Sequence, residues 1–205
     1  AKEHGITNVA VLEKGWLGGG NTGRNTMTVR SNFLREDSVP FHEMSLDLYH
    51  QLSRDLNYNL MVSQRGMITF IQSSAANRVA LQMANTMHIY GAEYRMLTLD
   101  EVKQKIPIFD PSPDMRLPVR GGVYQPRASM VRHDAVAWGF ARAADARGVD
   151  IIQNCEVTGI QQEGGAVTGV ETNRGVIKAK KIGMAVAGHG SVVASMVGQR
   201  LPIIT

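Results

Sequence analysis

The chain has 205 residues, room for one or two domains, and its 43% hydrophobic and 20% charged residues are the make-up of a globular protein rather than a disordered one. A net charge of +4, from 22 Lys and Arg against 18 Asp and Glu, is too mild for a dedicated nucleic-acid binder, so small molecules or proteins are the expected partners. The single cysteine, Cys155, excludes an internal disulfide framework and any cysteine-based zinc site, and it fits a reducing compartment.

Ala1 rather than Met stands first, and Ala1 to Gly5 reads as the tail of a helix, so a piece is expected to be missing upstream. No charged segment leading into an apolar one marks a secretory leader. The apolar run NVAVL, Asn8 to Leu12, predicts a parallel strand buried on both faces and closed by Glu13. Gly18, Gly19, Gly20, Asn21 and Gly23 follow in a stretch that predicts a loop. Ser38 and Pro40 suit a helix start, and Phe41, Met44, Leu48 and Leu52 recur at helical spacing, predicting an amphipathic helix to about Leu52. Arg65 to Ile71 reads as a strand, and Ala75 to Tyr90 as a helix with Val79, Met83 and Met87 on one face and Gly91 as its stop.

Thr98 with Glu101 is a capping-box pattern for a short helix ended by Pro107. Gly121 to Met130 looks extended, and Asp134 is placed to cap a helix closed by Gly148. Val149 to Ile152 reads as another buried strand. From Glu156 onward the pattern is a β-meander punctuated by Gly164-Gly165 and Arg174-Gly175. The uncharged stretch Ile182 to Gln199 is too rich in glycine, with His189 and two serines, for a membrane span, and a buried strand, turn and helix account for it better.

Glu13, at the carboxyl end of a strand, stands where dinucleotide-binding folds place the acid that holds the adenosine ribose, although a solvated strand-end carboxylate is the plainer reading of Glu13 alone. Lys14, Arg24, Arg30 and Arg35 occur without a carboxylate among them, giving either an anion-attracting loop or an ordinary basic surface loop. His133 precedes the helix that Asp134 opens, a place where binding groups often sit. None of the six histidines has metal-ligand spacing, and no serine elbow or cysteine nucleophile is present, so no metal site and no hydrolase chemistry is expected.

The segments VLEKGWLGGGNTGRNTMTVRSN, SQRGM, YQPRASMVRHDAVAWGFARAAD, GVDIIQNCEVTGI and AVAGHGS together resemble the β subunits of heterotetrameric sarcosine oxidases, within the wider family of FAD-dependent amine and amino-acid oxidoreductases. The resemblance runs through the whole chain in one register and matches roughly the first half of such a subunit. It implies an α/β fold in which a Rossmann-like nucleotide domain of the glutathione-reductase type is interrupted by a mixed-sheet α+β substrate domain. The implied division is 1–58 and 131–205 for FAD binding, the latter with the meander, and 59–130 for the substrate segment.

It further implies noncovalent FAD, with Glu13 and Lys14 at the adenosine ribose and Gly19, Gly20, Asn21, Arg24, Asn25 and Thr26 along the pyrophosphate and ribityl chain. Thr28 then falls beside the flavin ring, Val157 at the adenine and Gly188 in a later glycine turn near the cofactor. Arg30 matches an arginine that pairs with the substrate carboxylate, and His133 the histidine covalently joined to FMN.

The implied activity is cytoplasmic oxidation of sarcosine to glycine, with electrons passing from FAD through FMN to oxygen and yielding hydrogen peroxide. The implied partners are α, γ and δ subunits, with FMN between α and β and the one-carbon unit passed to tetrahydrofolate on α. A dimethylglycine-type or D-amino-acid dehydrogenase, or a noncatalytic flavin-carrying subunit, remain the alternatives.

Overall fold

Two helix starts in this chain, at Ser74 and at Leu99, follow their capping side chains. The Ser73 hydroxyl accepts the Ala76 N–H at 3.0 Å, and Thr98 and Glu101 cap each other's backbone reciprocally, as the capping-box pattern predicts. The computed structural model describes residues 1–202. In chain order its elements are β1 (Ala10–Leu12), β2 (Thr28–Val29), α1 (Ser38–Asp55), β3 (Ser63–Gln64), β4 (Met67–Ile71), α2 (Ser74–Ile89), β5 (Arg95–Thr98) and α3 (Leu99–Lys105). There follow β6 (Gly121–Gln125), β7 (Ser129–Met130), α4 (His133–Asp145), β8 (Asp150–Ile152), β9 (Val157–Glu163), β10 (Ala166–Thr172), β11 (Gly175–Lys178) and α5 (Gly190–Ser195). By packing, the chain divides into two units, Ala1–Gly20 with the described residues from Ala141 onward, and Asn21–Phe140.

In the first unit β1 lies parallel to β8, with Ala10, Val11 and Leu12 opposite Asp150, Ile151 and Ile152. The expected double burial of this strand does not occur, because Val11 is 44% exposed. A two-stranded ribbon has too little width to cover both its faces. The meander is present as the antiparallel order β9, β10, β11, with turns at Gly164-Gly165 and at Asn173-Arg174 before Gly175. Its turn chemistry is local: the Thr172 hydroxyl donates to the Gly175 carbonyl at 2.7 Å and accepts the Arg174 N–H at 3.0 Å. The expected strand at Ile182 to Val186 is absent, and Met184 is exposed. That run has the apolar composition of a strand but no ladder partner among the described residues, so it stays irregular.

In the second unit β6 is the centre of a β4-β6-β5 antiparallel sheet, and β7 is the centre of a β2-β7-β3 sheet. The single strand expected over Arg65 to Ile71 begins only at Met67. Gly66 turns there at φ +75, with the Tyr124 ring where a Cβ would stand. The extended stretch Gly121 to Met130 is likewise broken, by a turn in which the Ala128 N–H donates to the Gln125 carbonyl at 3.3 Å.

Helix α1 buries a different stripe from the expected one. Val39 and Leu46 are fully buried, and Tyr49, Leu52 and Leu56 pack half-buried, whereas Phe41 is 68%, Met44 62% and Leu48 52% exposed. Two apolar stripes with helical spacing run along α1, and spacing alone does not say which one meets the core. On α2, Met87 is buried and Met83 packs against it as expected, but Val79 is exposed and Ala80 and Thr86 take the buried places.

The core beneath α4 is Leu60, Val131 and Ala135, with Val29, Tyr49, Leu52, Leu56, Tyr58, Val62 and Val136 around it. Gly139 lets α4 come close, since a Cβ there would lie 3.0 Å from Leu60 Cδ2 and 3.2 Å from Leu56 Cδ1. No helix among the described residues is long and apolar enough to cross a membrane. Leu60 is completely buried at the middle of this cluster. Leu60→Ala is therefore expected to lower unfolding stability by about 2–5 kcal/mol, read as a lower urea midpoint at unchanged slope.

Candidate functional site

The loop from Asn21 to Thr28 is folded by one side chain. Asn25 Nδ2 donates to the Thr22 carbonyl at 2.6 Å, and Asn25 Oδ1 accepts the Met27 N–H at 2.8 Å. This turns Met27 to φ +61, a left-handed conformation uncommon for a residue with a Cβ. The Met27 carbonyl then accepts the Val131 N–H at 3.0 Å, extending the β2-β7 pairing of Thr28 with Met130 and Val29 with Ser129. The strand that receives this loop runs directly into α4, so residues 25–28 and His133 border one cleft of about 340 Å³. Tyr49, Val131 and Val136 complete its apolar lining.

His133 is the first residue of α4 rather than the residue before it. Its Nδ1 is buried and has no hydrogen-bond partner among the described residues. A buried imidazole nitrogen left unpaired is costly, so such an atom calls for an explanation. Asp134, expected as the cap, lies inside the first turn, and its carboxylate takes Arg132 Nε at 3.0 Å and Arg132 Nη2 at 2.6 Å. The two charges flanking His133 thus satisfy each other and leave its ring unclaimed.

Arg30 follows β2 and is half-buried. Its Nη1 donates to the Asn32 carbonyl at 3.1 Å and to Asn32 Oδ1 at 2.7 Å, and its guanidinium lies 4.7 Å above the Phe33 ring. It is not among the residues lining the His133 cleft. Asn21 and Arg24 are exposed at the two ends of a 3-10 turn, whereas Asn25, Thr26 and Thr28 are in the cleft wall.

The remaining predicted residues lie in the first unit. Glu13 is half-buried beyond β1: its N–H donates to the Ile152 carbonyl at 2.9 Å, and its Oε1 accepts the Gly15 N–H at 2.8 Å. One carboxylate oxygen is thereby fixed and Oε2 remains for a donor such as a hydroxyl. Lys14 instead points to Glu156, at 2.7 Å, with 75% of its side chain exposed, so this ion pair contributes about 0–1 kcal/mol. Gly19 carries Trp16 against it, a Cβ there coming within 2.7 Å of the indole, while Gly20 faces open space. Val157 opens β9 half-buried, and Gly188 is exposed in the 3-10 turn Ala187–His189.

Sequence reasoning missed Tyr49, whose neighbour Leu48 stood on the expected buried stripe, and it missed Val136 as a cleft residue. It also missed Ser31, Gln125 and Ser129, polar residues that are almost completely buried. Buried polar side chains carry no local signal in the chain, since the partners that satisfy them are remote.

A family model described as FAD dependent oxidoreductase matches residues 1–205. The chain belongs to this family. It is 51% identical over 203 residues to sarcosine oxidase subunit beta from Rhizobium meliloti (strain 1021), covering 99% of this chain and 49% of that protein. It is 49% identical over 203 residues to sarcosine oxidase subunit beta from Arthrobacter sp, covering 99% of this chain and 50% of that protein. The chain thus spans about half the length of these curated relatives.

Among solved structures, L-proline dehydrogenase from P. horikoshii matches with a TM-score of 0.86 at 23% identity, covering 96% of this chain and 50% of that one. That match shows the fold: an α/β FAD-dependent oxidoreductase with open sheets. The residues of the chain suit an FAD-dependent family, with a strand-end carboxylate oxygen unclaimed, an open glycine and a cleft bordered by an unpaired imidazole.

Hydrogen bonds from Arg132 first, with help from the Ala135 amide, hold the Asp134 carboxyl below the ordinary carboxylate range. A depressed folded-state value stabilises above the unfolded value of about 3.9 and loses that contribution as pH falls through the folded one. NMR titration is expected to show Asp134 protonating at lower pH than an ordinary aspartate, and Arg132→Ala to move it back upward.

Proposed function

We propose that this chain is the flavin-binding part of a sarcosine-oxidising subunit. The observation that carries this reading is the unpartnered, buried Nδ1 of His133 at the edge of a cleft bounded by Asn25, Thr26 and Thr28. The names of the relatives at about half identity supply the substrate, sarcosine, and the subunit character. In this reading a Rossmann-like nucleotide domain, residues 1–58 and 131–205, is interrupted by a substrate segment, residues 59–130.

Within the first unit, Glu13 Oε2 accepts from the adenosine ribose of FAD, Gly19 and Gly20 leave room for its pyrophosphate, and Val157 and Gly188 line the nucleotide. Lys14 serves the same end of the cofactor only by leaving Glu156. Within the second unit, Asn21, Arg24, Asn25 and Thr26 follow the ribityl side and Thr28 meets the ring.

His133 is the residue that would hold FMN, through a covalent bond from its imidazole. At about 340 Å³ the cleft is near the lower end of small-molecule sites. An α subunit would complete the FMN site, with γ and δ completing a heterotetramer. The flavins supply two-electron redox chemistry, taking reducing equivalents from the N-methyl group of sarcosine and delivering them to oxygen as hydrogen peroxide.

Arg30 holds the substrate carboxylate. Its planar fork keeps free nitrogens after the Asn32 contacts, and the Phe33 face beneath it fixes its plane. The apolar wall of Tyr49, Val131 and Val136 excludes water from the flavin side of the cleft. The products are glycine and a one-carbon unit passed to tetrahydrofolate on the α subunit, in the cytoplasm.

The deciding experiment uses the full-length protein with the subunits that co-purify with it. A denaturing gel viewed by flavin fluorescence is expected to show covalent flavin on this chain and none after His133→Ala, and sarcosine is expected to bleach the FAD absorbance under anaerobic conditions. Covalent flavin that survives His133→Ala would overturn the tether, and absorbance indifferent to sarcosine would overturn the substrate.

A further inference from the structure

The segment that carries Arg30 is held from behind by a buried chain of polar groups. Ser31 is fully buried, and its hydroxyl accepts from Gln125 Nε2 while donating to Glu43 Oε1. Gln125, 1% exposed on the central strand β6, also accepts the Ser31 N–H through Oε1 at 3.3 Å. Glu43 on α1 is paired through its other oxygen with Arg127, which pairs as well with Asp47 one turn further along α1. The Ser129 hydroxyl donates to the Arg127 carbonyl at 3.1 Å, tying the base of the chain to β7.

One hydroxyl has one proton to give, so the two bonds at Ser31 Oγ fix its orientation and join β6 to α1 through the residue next to Arg30. Two residues after Arg30, Asn32 is 5% exposed and takes Nη1 through both its carbonyl and its side-chain oxygen. Among the described residues Arg30 Nε and Nη2 have no hydrogen-bond partner, so this edge of the guanidinium is the one left free.

We infer that Ser31 is a positioning residue for Arg30, aiming the free edge of its guanidinium through the Gln125–Ser31–Glu43–Arg127 chain. This rests on the reading of Arg30 as the substrate-carboxylate arginine. The physical reason is that a bidentate guanidinium–carboxylate pair tolerates little misalignment, and the backbone of a loop holds such an alignment only when its buried polar groups are satisfied in one arrangement. Removing the hydroxyl leaves a buried amide donor and a carboxylate oxygen unpaired, and the segment shifts to relieve them.

The test measures methoxyacetate, a sarcosine isostere with oxygen in place of the amine, binding to the full-length holoprotein through the change it causes in flavin absorbance. Ser31→Ala is expected to raise its Kd about tenfold, equivalent to about 1.4 kcal/mol, with flavin content and the unliganded spectrum unchanged. The KM for sarcosine is expected to rise in parallel while kcat holds, the pattern of lost uniform binding. Glu43→Gln keeps an acceptor oxygen for the Ser31 hydroxyl but turns an NH2 toward Arg127, and is expected to weaken methoxyacetate binding less than Glu43→Leu, which weakens it as Ser31→Ala does. The Glu43 pair decides the matter if Ser31→Ala does not fold.

Native affinity in Ser31→Ala and Glu43→Leu, with binding lost in Arg30→Ala, would overturn the positioning role and leave the reading of Arg30 intact. Native affinity in Arg30→Ala would overturn that reading itself.

Discussion

The arrangement of the cleft depends on one short backbone pairing. Strand β2 contributes two residues to β7, and the Val131 N–H adds a bond to the Met27 carbonyl. Through these bonds the Asn21–Thr28 loop and the first turn of α4 share a wall, and His133 follows three residues after Met130. A pairing this short has little stability of its own. What holds it is the apolar cluster beneath, where Leu60 and Val131 pack with Ala135 of α4 and with the inner face of α1. Burial thus stabilises the pairing, and the pairing positions the chemistry.

Electrostatics around the loop differ from what a count of charges implies. Of the four cations from Lys14 to Arg35, Lys14 is paired with Glu156 and Arg35 with Asp37. Arg30 is half-buried and committed on one side to Asn32 and Phe33. The chain therefore offers directed donors rather than a diffuse positive field. Directed donors select for the shape of an anion, whereas a field selects only for its sign.

Much of the fold was legible where structure is local. The meander follows from its glycine turns, the start of α3 from the Thr98–Glu101 box, and the end of α2 from Gly91 at φ +70. Strand extents were read too long at Arg65 to Ile71 and Gly121 to Met130, where Gly66 and the segment Pro126 to Ala128 turn the chain within stretches taken as continuous. The buried side of α1 was not legible, since Phe41, Met44 and Leu48 have the same spacing as a core stripe and lie outside.

For the site, a histidine at a strand-to-helix junction is visible in the chain, and its resemblance to a flavin-bearing histidine singled it out. Its unpaired nitrogen is a property of the folded neighbourhood. The Ser31–Gln125 contact spans 94 residues and joins two side chains that no local pattern connects.

The indole of Trp16 rests on Gly19 with 65% of its residue surface in water. Its emission therefore depends on how much solvent remains over the glycines. Anything that covered the glycines would dry one side of the ring and shift that emission.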